Sequence, residues 1–485
     1  MIRTRFAPSP TGYLHIGGLR TALYAYLFAK KHEGKFLIRI EDTDRERLVE
    51  DSLKNILDSF VWANISIDEG VLLDNNEITQ KGDKGPYIQS ERLEIYQEYI
   101  KILLEKNDAY HCFCTKERLD EMRKNQEENK LATGYDGHCR NLTKEEVASK
   151  LEAGEKSVIR MKMPKEGITV IDDLIRGKVE FKNELIDDQV LIKADGFPTY
   201  HFAVVVDDHL MEISHVVRGE EWLASTPKHI NLYKMFGWEA PEFAHLSLLI
   251  NEKKQKLSKR HGDVSVVDYV KKGYLPEAFV NFIAFLGWNP GDDREFFTLE
   301  ELEKEFDFDK VGKAPAVFNI EKLNWYNKQY IMKMSKEELA KRCGSFFQEK
   351  NVDISKFDLA QVVGLEQGRA NTLLEIVENT SFIFSLSEYD STMLVWKKSD
   401  REKTKANLEK TIEFLENLTG EWNRENLETT ILNWIKEQEL GNGDVLWPMR
   451  VALSGLRNSP GPLEIASVLG KTETLNRMQQ AVDKI

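Results

Sequence analysis

The chain lacks any long run of apolar residues, and this absence excludes the helical membrane proteins. Hydrophobic residues make up 41% of its 485 positions, but the longest apolar stretches fall far short of the ~20 residues that cross a bilayer. The first residues also lack the basic start and apolar block of a secretory signal. We therefore expect a cytoplasmic protein without membrane contact, with enough residues for roughly three to five domains.

Cysteine is scarce, and the net charge is not positive. Four cysteines in a cytoplasmic protein argue against a disulfide framework. The net charge of −14 argues against polyanion binding over the whole surface, because phosphate contacts need lysine and arginine. The distribution of charge matters more than its sum, however. Basic and aromatic residues alternate in segment 322–328, which predicts an RNA contact, an amphipathic helix with Leu323, Trp325 and Tyr326 facing a core, or both.

Two short segments carry most of the information, and the first is a glycine-containing turn. Residues 2–6 are predicted to form a strand and residues 19–31 a helix. His15, Gly17 and Gly18 lie at the turn between them. Backbone N–H groups at a helix start attract anions, and glycine lets a nucleotide approach the backbone. The alternative is a tight turn with an incidental histidine.

A second strand, predicted over residues 35–40, ends in a cluster of acidic residues. Ligands of parallel α/β sheets lie beyond the carboxyl ends of the strands, which places Glu41 where it can meet an ammonium group. The alternative is that the cluster caps a helix, since Asp42 and Asp44 are good N-cap residues. For Asp42 the cap is favoured, and for Glu41 both interpretations stay open.

The second informative segment is a lysine-rich loop. Lys253, Lys254, Lys256, Lys259 and Arg260 crowd together in it. Such a loop can close over a triphosphate and neutralise the charge that develops on departing pyrophosphate. The alternative is a solvated basic run. Taken with the upstream histidine–glycine turn, the loop suggests one site that holds ATP from two sides.

The order of several motifs adds a family resemblance. Over nearly its whole length the chain resembles class I aminoacyl-tRNA synthetases, and most closely the bacterial-type glutamyl-tRNA synthetases. The class signatures are written HIGH and KMSKS, whereas residues 15–18 read HIGG and residues 256–260 read KLSKR. Both departures are usual in the glutamyl branch. The motifs that carry the likeness are residues 5–12, 15–18, 39–44, 89–92, 195–201, 218–222 and 256–260.

The resemblance implies a role for each matched residue. Arg5 and Arg218 are similar to the two arginines that bind the carboxylates of glutamate in the family. Which arginine binds which carboxylate stays open. An ion pair of Arg218 with Glu220 or Glu221 is the alternative. Glu221 is expected at the ribose of ATP, and magnesium is expected with ATP. The implied glutamate-binding residues are Arg5, Ala7, Ser9, Glu41, Tyr200 and Arg218. The implied ATP-binding residues are His15, Gly17, Gly18, Glu221, Lys256 and Lys259, of which His15, Lys256 and Lys259 are expected to be catalytic.

The resemblance also implies a multidomain α/β plus all-α architecture. The expected parts are a Rossmann-like catalytic core, an inserted domain that binds the tRNA acceptor end, and C-terminal helical domains that bind the anticodon. Trp447 and Arg450 lie in a segment that resembles the anticodon-contacting one, although Trp447 is equally compatible with a core position. The expected boundaries are 1–84 and 191–250 for the catalytic core, 85–190 for the insertion, 251–334 for a connecting domain with the lysine loop, and 335–390 and 391–485 for two helical subdomains.

Three of the four cysteines lie together in the insertion. Cys112, Cys114 and Cys139 supply most of a zinc site. Tyr135 matches a tyrosine that completes such sites in relatives, and His138 is a chemical alternative for the fourth ligand. Some relatives keep this domain without the metal, so a metal-free domain stays open.

The expected function is ATP-dependent attachment of L-glutamate to the 3′ end of tRNA(Glu) through a glutamyl-adenylate, with release of AMP and pyrophosphate. We expect a monomer without an editing domain. The alternatives are a glutaminyl enzyme, a truncated relative that glutamylates a tRNA base, and a non-enzymatic paralogue. The intact Arg5, Glu41, Arg218, Lys256 and Lys259 argue against the last of these.

Overall fold

The computed structural model describes residues 1–257, 265–397 and 399–485. The chain divides into two compact units: the first comprises Met1–Asp268 and Phe279–Asn319, and the second comprises Tyr269–Ala278 and Ile320–Ile485. Among the described residues, every helix is too short or too polar to cross a membrane.

The described residues form the following regular elements, numbered in chain order. The strands are β1 Arg3–Phe6, β2 Lys35–Ile38, β3 Glu69–Asp74, β4 Glu77–Lys81, β5 Ala109–Cys112, β6 Val158–Met161, β7 Ile168–Asp173, β8 Gly177–Lys182, β9 Val190–Ile192, β10 His215–Gly219, β11 Glu242–Leu246, β12 Leu249–Ile250 and β13 Ala316–Val317. The helices are α1 Ile16–Lys31, α2 Ser52–Trp62, α3 Leu93–Glu105, α4 Lys116–Glu128, α5 Lys144–Glu152, α6 Tyr200–Leu210, α7 Thr226–Phe236, α8 Val266–Lys271, α9 Pro276–Ala284, α10 Leu299–Glu305, α11 Ile320–Lys333, α12 Lys336–Glu349, α13 Leu359–Gly364, α14 Leu373–Phe384, α15 Arg401–Glu416, α16 Arg424–Glu437, α17 Asn442–Ser454 and α18 Pro462–Lys484.

A twisted sheet with the strand order β4-β3-β2-β1-β10-β11-β7-β8 forms the centre of the first unit. Its inner strands β3, β2, β1, β10, β11 and β7 pair in parallel. The central strands are buried, as parallel strands covered on both faces must be, although β1 and β10 carry buried polar and charged side chains among their apolar ones. This sheet confirms the predicted Rossmann-like α/β core, and it brings the carboxyl ends of β1, β2 and β10 to one edge.

The predicted insertion contributes strands to two sheets. β5 and β6 pair with β9 in a separate three-stranded sheet. The hairpin β7–β8, by contrast, extends the central sheet, where Asp173 pairs with Phe243 of β11. Segment 168–182 therefore belongs to the central sheet, although it lies inside the range 85–190 that the sequence assigns to the insertion.

The second unit is helical from α11 onwards and holds two hydrophobic clusters. One cluster gathers buried residues of α12 and α14 with Leu275. The other gathers buried residues of α15, α16, α17 and α18. This arrangement agrees with the all-helical C-terminal region that the sequence predicts.

Candidate active site

A cleft of about 1040 Å³ opens at the carboxyl ends of the central strands. The sequence-predicted glutamate and ATP residues that lie in the described part of the chain all line this one cleft. Lys259 falls in the segment 258–264, outside the described residues. The lining candidates are Arg5, Ala7, Ser9, His15, Gly17, Gly18, Glu41, Tyr200, Arg218, Glu221 and Lys256.

His15 is the N-cap residue of α1. Its Nδ1 accepts a hydrogen bond of 3.0 Å from the backbone N–H of Gly18. Because Nδ1 uses its lone pair there, the proton of the neutral ring lies on Nε2. The ring nitrogen that can donate a hydrogen bond is therefore Nε2.

The two glycines after His15 make room for its ring and for the neighbouring core. A Cβ on Gly17 would lie 3.1 Å from Cε1 and Nδ1 of His15. A Cβ on Gly18 would lie 3.0 Å from Leu14. The backbone N–H of Gly18 already serves His15. The glycines thus leave space for the His15 ring and supply its hydrogen-bond donor. The sequence pattern alone does not reveal these contacts.

Arg218 is a buried cation at the end of β10 whose partners are all neutral. Its Nε donates to His245 Nε2 at 3.1 Å, and its Nη2 donates to Thr226 Oγ1 at 2.7 Å. Its Nη1 contacts the Tyr200 hydroxyl at 3.1 Å and His229 Nδ1 at 3.3 Å. Burial, followed by the charge of Arg218, lowers the pKa of His229, so that this ring is neutral.

The alternative ion pair of Arg218 with Glu220 or Glu221 does not form. Glu220 pairs instead with Arg176 at 2.5 Å and accepts the backbone N–H of Leu248. Among the described residues, no carboxylate lies within ion-pair distance of Arg218. A buried guanidinium without an adjacent anion is a site for an anionic ligand group.

Arg5 and Glu41 belong to a buried network of charges beside Arg218. Arg5 forms a two-point ion pair with Asp208, through contacts of 3.1 Å from Nε and from Nη2. Arg39 bridges the same Asp208, at 2.7 Å, and Glu41, at 3.1 Å. Burial raises the pKa of Glu41 to about 7, although Arg39 and Arg5 oppose this shift.

Asp42 caps a different segment from the one expected. Its carboxylate accepts the backbone N–H of Ser90 at 2.8 Å and the Ser90 hydroxyl at 2.6 Å. The prediction that Asp42 caps the helix that follows it is therefore wrong. Ser90, which is distant in the chain, offers the Asp42 carboxylate both a backbone and a side-chain donor. The interaction fixes the start of the 89–92 turn next to the cleft.

Two further candidates lie on the exposed side of the cleft. Lys256 follows a tight turn in which the backbone N–H of Asn251 donates to Gln255 O at 2.8 Å, and its backbone bridges to Ile250. Glu221 lies against Gly219, where a Cβ would collide with its carboxylate. Within the described residues, the Glu221 carboxylate has no hydrogen-bond or ion-pair partner.

The three clustered cysteines come together as the sequence predicts. Their sulfur atoms lie within 4.8 Å of one another, and the Tyr135 hydroxyl lies 3.3 Å from Cys112 Sγ and 3.5 Å from Cys114 Sγ. His138 does not belong to the cluster in the described structure. Cys114 and Cys139 have their sulfurs 3.6 Å apart, close to the edge of ~3.8 Å that tetrahedral zinc with ~2.3 Å bonds requires. The donor set therefore fits zinc, with Tyr135 beside it.

The two anticodon candidates lie on α17 in the second unit. Trp447 is half-buried against the hydrophobic cluster there, and its indole N–H donates to Met393 O at 2.9 Å. Its ring also packs on Trp396 with centroids 4.8 Å apart. The guanidinium Nε of Arg450 is buried without a hydrogen-bond partner among the described residues. Trp447 thus has a structural role, whereas Arg450 keeps an unused donor.

Several residues of the site escaped the sequence analysis. Asp207 and Asp208 hold the arginines behind the cleft, and Asp207 accepts from Arg92 at 2.8 Å and from Tyr96 at 2.9 Å. Two adjacent aspartates inside the apolar helix α6 are a sequence signal for such a network. His245 shows no comparable signal, since its contact with Arg218 depends on strand pairing.

Comparison with known proteins agrees with this geometry. Residues 1–325 match the family described as tRNA synthetases class I (E and Q), catalytic domain, and residues 336–482 match an anticodon binding domain. The glutamate–tRNA ligase of Clostridium tetani is 48% identical over 487 aligned residues, covering 100% of this chain and 98% of the relative. The glutamate–tRNA ligase of Clostridioides difficile is 46% identical, covering 100% and 99%.

Solved structures show the same likeness in three dimensions. The crystal structure of a glutamate tRNA ligase from Elizabethkingia meningosepticum, in complex with its amino acid, has a TM-score of 0.88 and 38% identity and covers 99% of both chains. Glutamate-tRNA synthetase from Elizabethkingia anophelis has a TM-score of 0.86, also at 38% identity. The chain belongs to the class I tRNA synthetases of the glutamate and glutamine family.

Proposed function

We propose that the protein attaches L-glutamate to the 3′ end of tRNA(Glu) in an ATP-dependent, two-step reaction. The observation that carries the choice of glutamate is Arg218, a buried guanidinium at the cleft whose described partners are neutral. A substrate carboxylate supplies its missing counter-charge. The amide of glutamine leaves it uncompensated, which costs about 3–5 kcal/mol for a broken buried pair. The curated relatives named glutamate–tRNA ligase support the same choice.

The proposed glutamate pocket lies between the two arginines. Arg218 receives one carboxylate, and Arg5 receives the other through Nη1, which its ion pair with Asp208 does not use. Glu41 accepts from the α-ammonium group, beside the backbone of Ala7 and Ser9. Tyr200 accepts a hydrogen bond from Arg218 and keeps its own proton for the substrate.

The proposed ATP site occupies the α1 side of the cleft. His15 donates Nε2–H to a phosphate oxygen, and Gly17 and Gly18 leave room for that imidazole. Glu221, whose carboxylate lacks a partner in the described part of the chain, accepts from the ribose hydroxyls. Lys256 faces the phosphates, and Lys259 is proposed to join it from outside the described residues.

Catalysis in this proposal is positioning and charge stabilisation. The α-carboxylate oxygen attacks the α-phosphorus of ATP, the bond to the β-phosphate oxygen breaks, and the electron pair leaves with pyrophosphate. His15 and the lysines stabilise that charge, and magnesium enters with ATP. The terminal ribose hydroxyl of tRNA then attacks the glutamyl carbonyl, the bond from that carbon to the phosphate oxygen breaks, and the hydroxyl proton passes to the phosphate of the departing AMP. In both steps the side chains hold and neutralise charge.

The domain assignments also remain proposals. We assign the tRNA acceptor end to the insertion around β5, β6 and β9, and the anticodon to the helices from 335 onwards. Arg450, a half-buried arginine of α17, is the proposed base-reading residue. Trp447 is proposed to contact the anticodon through its exposed edge. We further propose a monomer in the cytoplasm.

We also propose one zinc ion held by Cys112, Cys114, Cys139 and Tyr135, where it would order the start of α4. Metal analysis of untagged protein should find about one zinc per chain. Cys139→Ser should lose it, whereas the control Cys343→Ala, in the second unit, should keep it. A wild-type protein without zinc, whose cysteines all react with a thiol reagent, would overturn this assignment.

The proposed function is tested by aminoacylation with radiolabelled glutamate and glutamine on purified tRNA(Glu) and tRNA(Gln). We expect charging of tRNA(Glu) with glutamate and none with glutamine. Arg218→Lys should raise the KM for glutamate about 100-fold, because ammonium cannot replace the planar fork, and should change the KM for ATP little. Arg294→Lys, which alters an exposed ion-paired arginine, is the control. No charging of either tRNA would refute the proposal.

A further inference from the structure

We infer that His245 and Asp173 are positioning residues: Asp173 holds the His245 imidazole, and that imidazole fixes the Arg218 guanidinium for the carboxylate of its substrate. The inference rests on the proposed function, because it takes Arg218 as the carboxylate-binding group. Neither residue touches the cleft; both act through Arg218.

Three adjacent strands place these side chains in a row across the sheet. Arg218 on β10 pairs in register with His245 on β11, and Phe243 of β11 pairs with Asp173 at the end of β7. Arg218 Nε donates to His245 Nε2 at 3.1 Å, and His245 Nδ1 donates to Asp173 Oδ2 at 2.6 Å. The hairpin β7–β8 joins the sheet at this position, so the insertion carries the last member of the row into the catalytic sheet.

The hydrogen-bond partners allow one arrangement of protons. Arginine only donates, so His245 Nε2 must accept, and the ring proton must lie on Nδ1 towards Asp173. Burial lowers the pKa of His245, although Asp173 opposes this, so the ring is neutral. The hydrogen bonds from His245 and Arg176 to Asp173 outweigh its burial and lower the pKa of its carboxyl. The row therefore consists of the Arg218 cation, the neutral His245 ring and the Asp173 anion.

Asp173 is suited to holding this tautomer because both of its oxygens receive donors. Oδ1 accepts the backbone N–H groups of Ile175 at 3.0 Å and Arg176 at 2.7 Å. Oδ2 accepts the backbone N–H of His245 at 3.1 Å together with its ring N–H. An asparagine at position 173 is unfavourable in both orientations of its amide. Its NH₂ group, itself a donor, faces either the backbone N–H groups of Ile175 and Arg176 or the two donors of His245. When the NH₂ group faces His245, the ring avoids the donor–donor clash by moving its proton from Nδ1 to Nε2. The proton on Nε2 then faces the Nε–H donor of Arg218.

The remaining partners of Arg218 do not replace this row. The contacts to Thr226 Oγ1 at 2.7 Å and to the Tyr200 hydroxyl at 3.1 Å involve the Nη groups and not Nε. The contacts to the Trp222 carbonyl at 3.4 Å and to His229 at 3.3 Å are long, and a substrate carboxylate can displace them. The His245 contact is directed along Nε and sets the plane of the guanidinium. The row thus fixes the orientation of the fork while its Nη groups stay available to exchange neutral partners for an anion.

The test compares Asp173→Asn with Asp172→Asn, an exposed carboxylate one position earlier on the same strand. Aminoacylation of tRNA(Glu) gives the KM for glutamate, the KM for ATP and kcat. Asp173→Asn should raise the KM for glutamate at least about tenfold, the size of one hydrogen bond to a charged group, with the KM for ATP within about twofold. Asp172→Asn should match wild type. The ¹⁵N signals of the His245 ring should report a proton on Nδ1 in wild type and on Nε2 in Asp173→Asn.

A folded Asp173→Asn variant with an unchanged KM for glutamate would overturn the inference. If this variant does not fold, His245→Gln and His245→Met decide instead. The glutamine carbonyl can accept from Arg218 and its amide can donate to Asp173, so glutamine should keep the KM for glutamate while methionine raises it. Equal values would overturn the inference. A wild-type protein that charges tRNA(Glu), and whose Arg218→Lys variant loses affinity for glutamate, sustains the proposed function in either case.

Discussion

At the scale of single residues, the charged side chains of the cleft differ in how they are neutralised. Asp208 neutralises Arg5 and Arg39 from behind, which leaves part of each arginine for other contacts. Arg218, in contrast, has only neutral direct partners. The two proposed clamps therefore differ in kind: one is already paired, and the other needs its ligand for pairing. This difference argues that Arg218 contributes more to discrimination against glutamine than Arg5.

Glutamate binding should weaken as the pH falls through about 7. Burial raises the pKa of Glu41 from 4.5 to about 7, so the carboxylate that accepts the substrate ammonium is lost below that pH. The charges of free glutamate do not titrate in this window. We expect the KM for glutamate to rise up to about tenfold for each unit below the pKa. The Glu41→Gln variant should bind glutamate weakly, and its KM for glutamate should no longer depend on pH in this range. The control Glu50→Gln, which changes an exposed residue, should keep the wild-type pH dependence.

Stability supplies an independent check of the same group. A raised pKa means that the folded protein binds the proton more tightly than the unfolded chain. Its contribution to the free energy of unfolding therefore falls as the pH rises from 4.5 to about 7. Comparing thermal unfolding of wild type and Glu41→Gln across this range should show the difference. Equal pH profiles of both KM and stability in the two proteins would contradict the role of Glu41.

At the scale of elements, the start of α1 joins helix capping to ligand binding. The hydrogen bond from the Gly18 N–H to His15 Nδ1 caps the helix and at the same time holds the imidazole of a residue that lines the cleft. The residue spacing predicts the turn and the helix correctly, and the helix begins at Ile16, three positions earlier than its apolar periodicity indicates. The capping contact itself is not visible in that periodicity.

Gly17→Ala should separate helix stability from ATP binding. Alanine favours a helix over glycine by about 1 kcal/mol, while a weakened cap costs about 0.5–2 kcal/mol, so the melting temperature should change little. The new Cβ, 3.1 Å from His15, must push the imidazole by a few tenths of an ångström. We expect the KM for ATP in pyrophosphate exchange to rise roughly threefold to tenfold.

Gly344→Ala in α12 is the matched control for that substitution. A Cβ at Gly344 meets nothing within 4 Å, and the residue lies inside a helix of the second unit. It should stabilise by up to about 1 kcal/mol without changing the KM for ATP. A Gly17→Ala protein with normal ATP kinetics would show that the position of His15 does not matter.

At the scale of the whole molecule, local patterns predict the elements better than their partners. The strand before Glu41 follows from its local sequence pattern. The resemblance carried by the motifs implies the helices after residue 335 and the residues of the cleft. The sequence does not reveal that hairpin β7–β8 joins the central sheet, or that His245 meets Arg218. Both depend on pairing between strands far apart in the chain, which no local pattern encodes.

The division into two units is a second feature that local patterns miss. The sequence predicts one connecting domain over 251–334, but residues 269–278 belong to the second unit and residues 279–319 return to the first. Within the second unit, the backbone N–H of Leu275 donates to Asn327 Oδ1 at 2.8 Å, and its side chain is fully buried in a cluster with Leu339 and Ile376. The short segment is thus part of the core of the helical unit.

Leu275→Ala should therefore destabilise the helical unit, although the residue precedes that unit's main segment in the chain. A buried leucine shortened to alanine costs about 2–5 kcal/mol, and hydrogen exchange should accelerate in α12 and α14, whose residues share its cluster. Leu302→Ala, an equally buried leucine of the first unit, should accelerate exchange around α10 instead. If Leu275→Ala left α12 and α14 as protected as in wild type, segment 269–278 would not be part of the helical core. The boundary between the units would then lie near residue 320, and segment 269–278 would belong to the first unit.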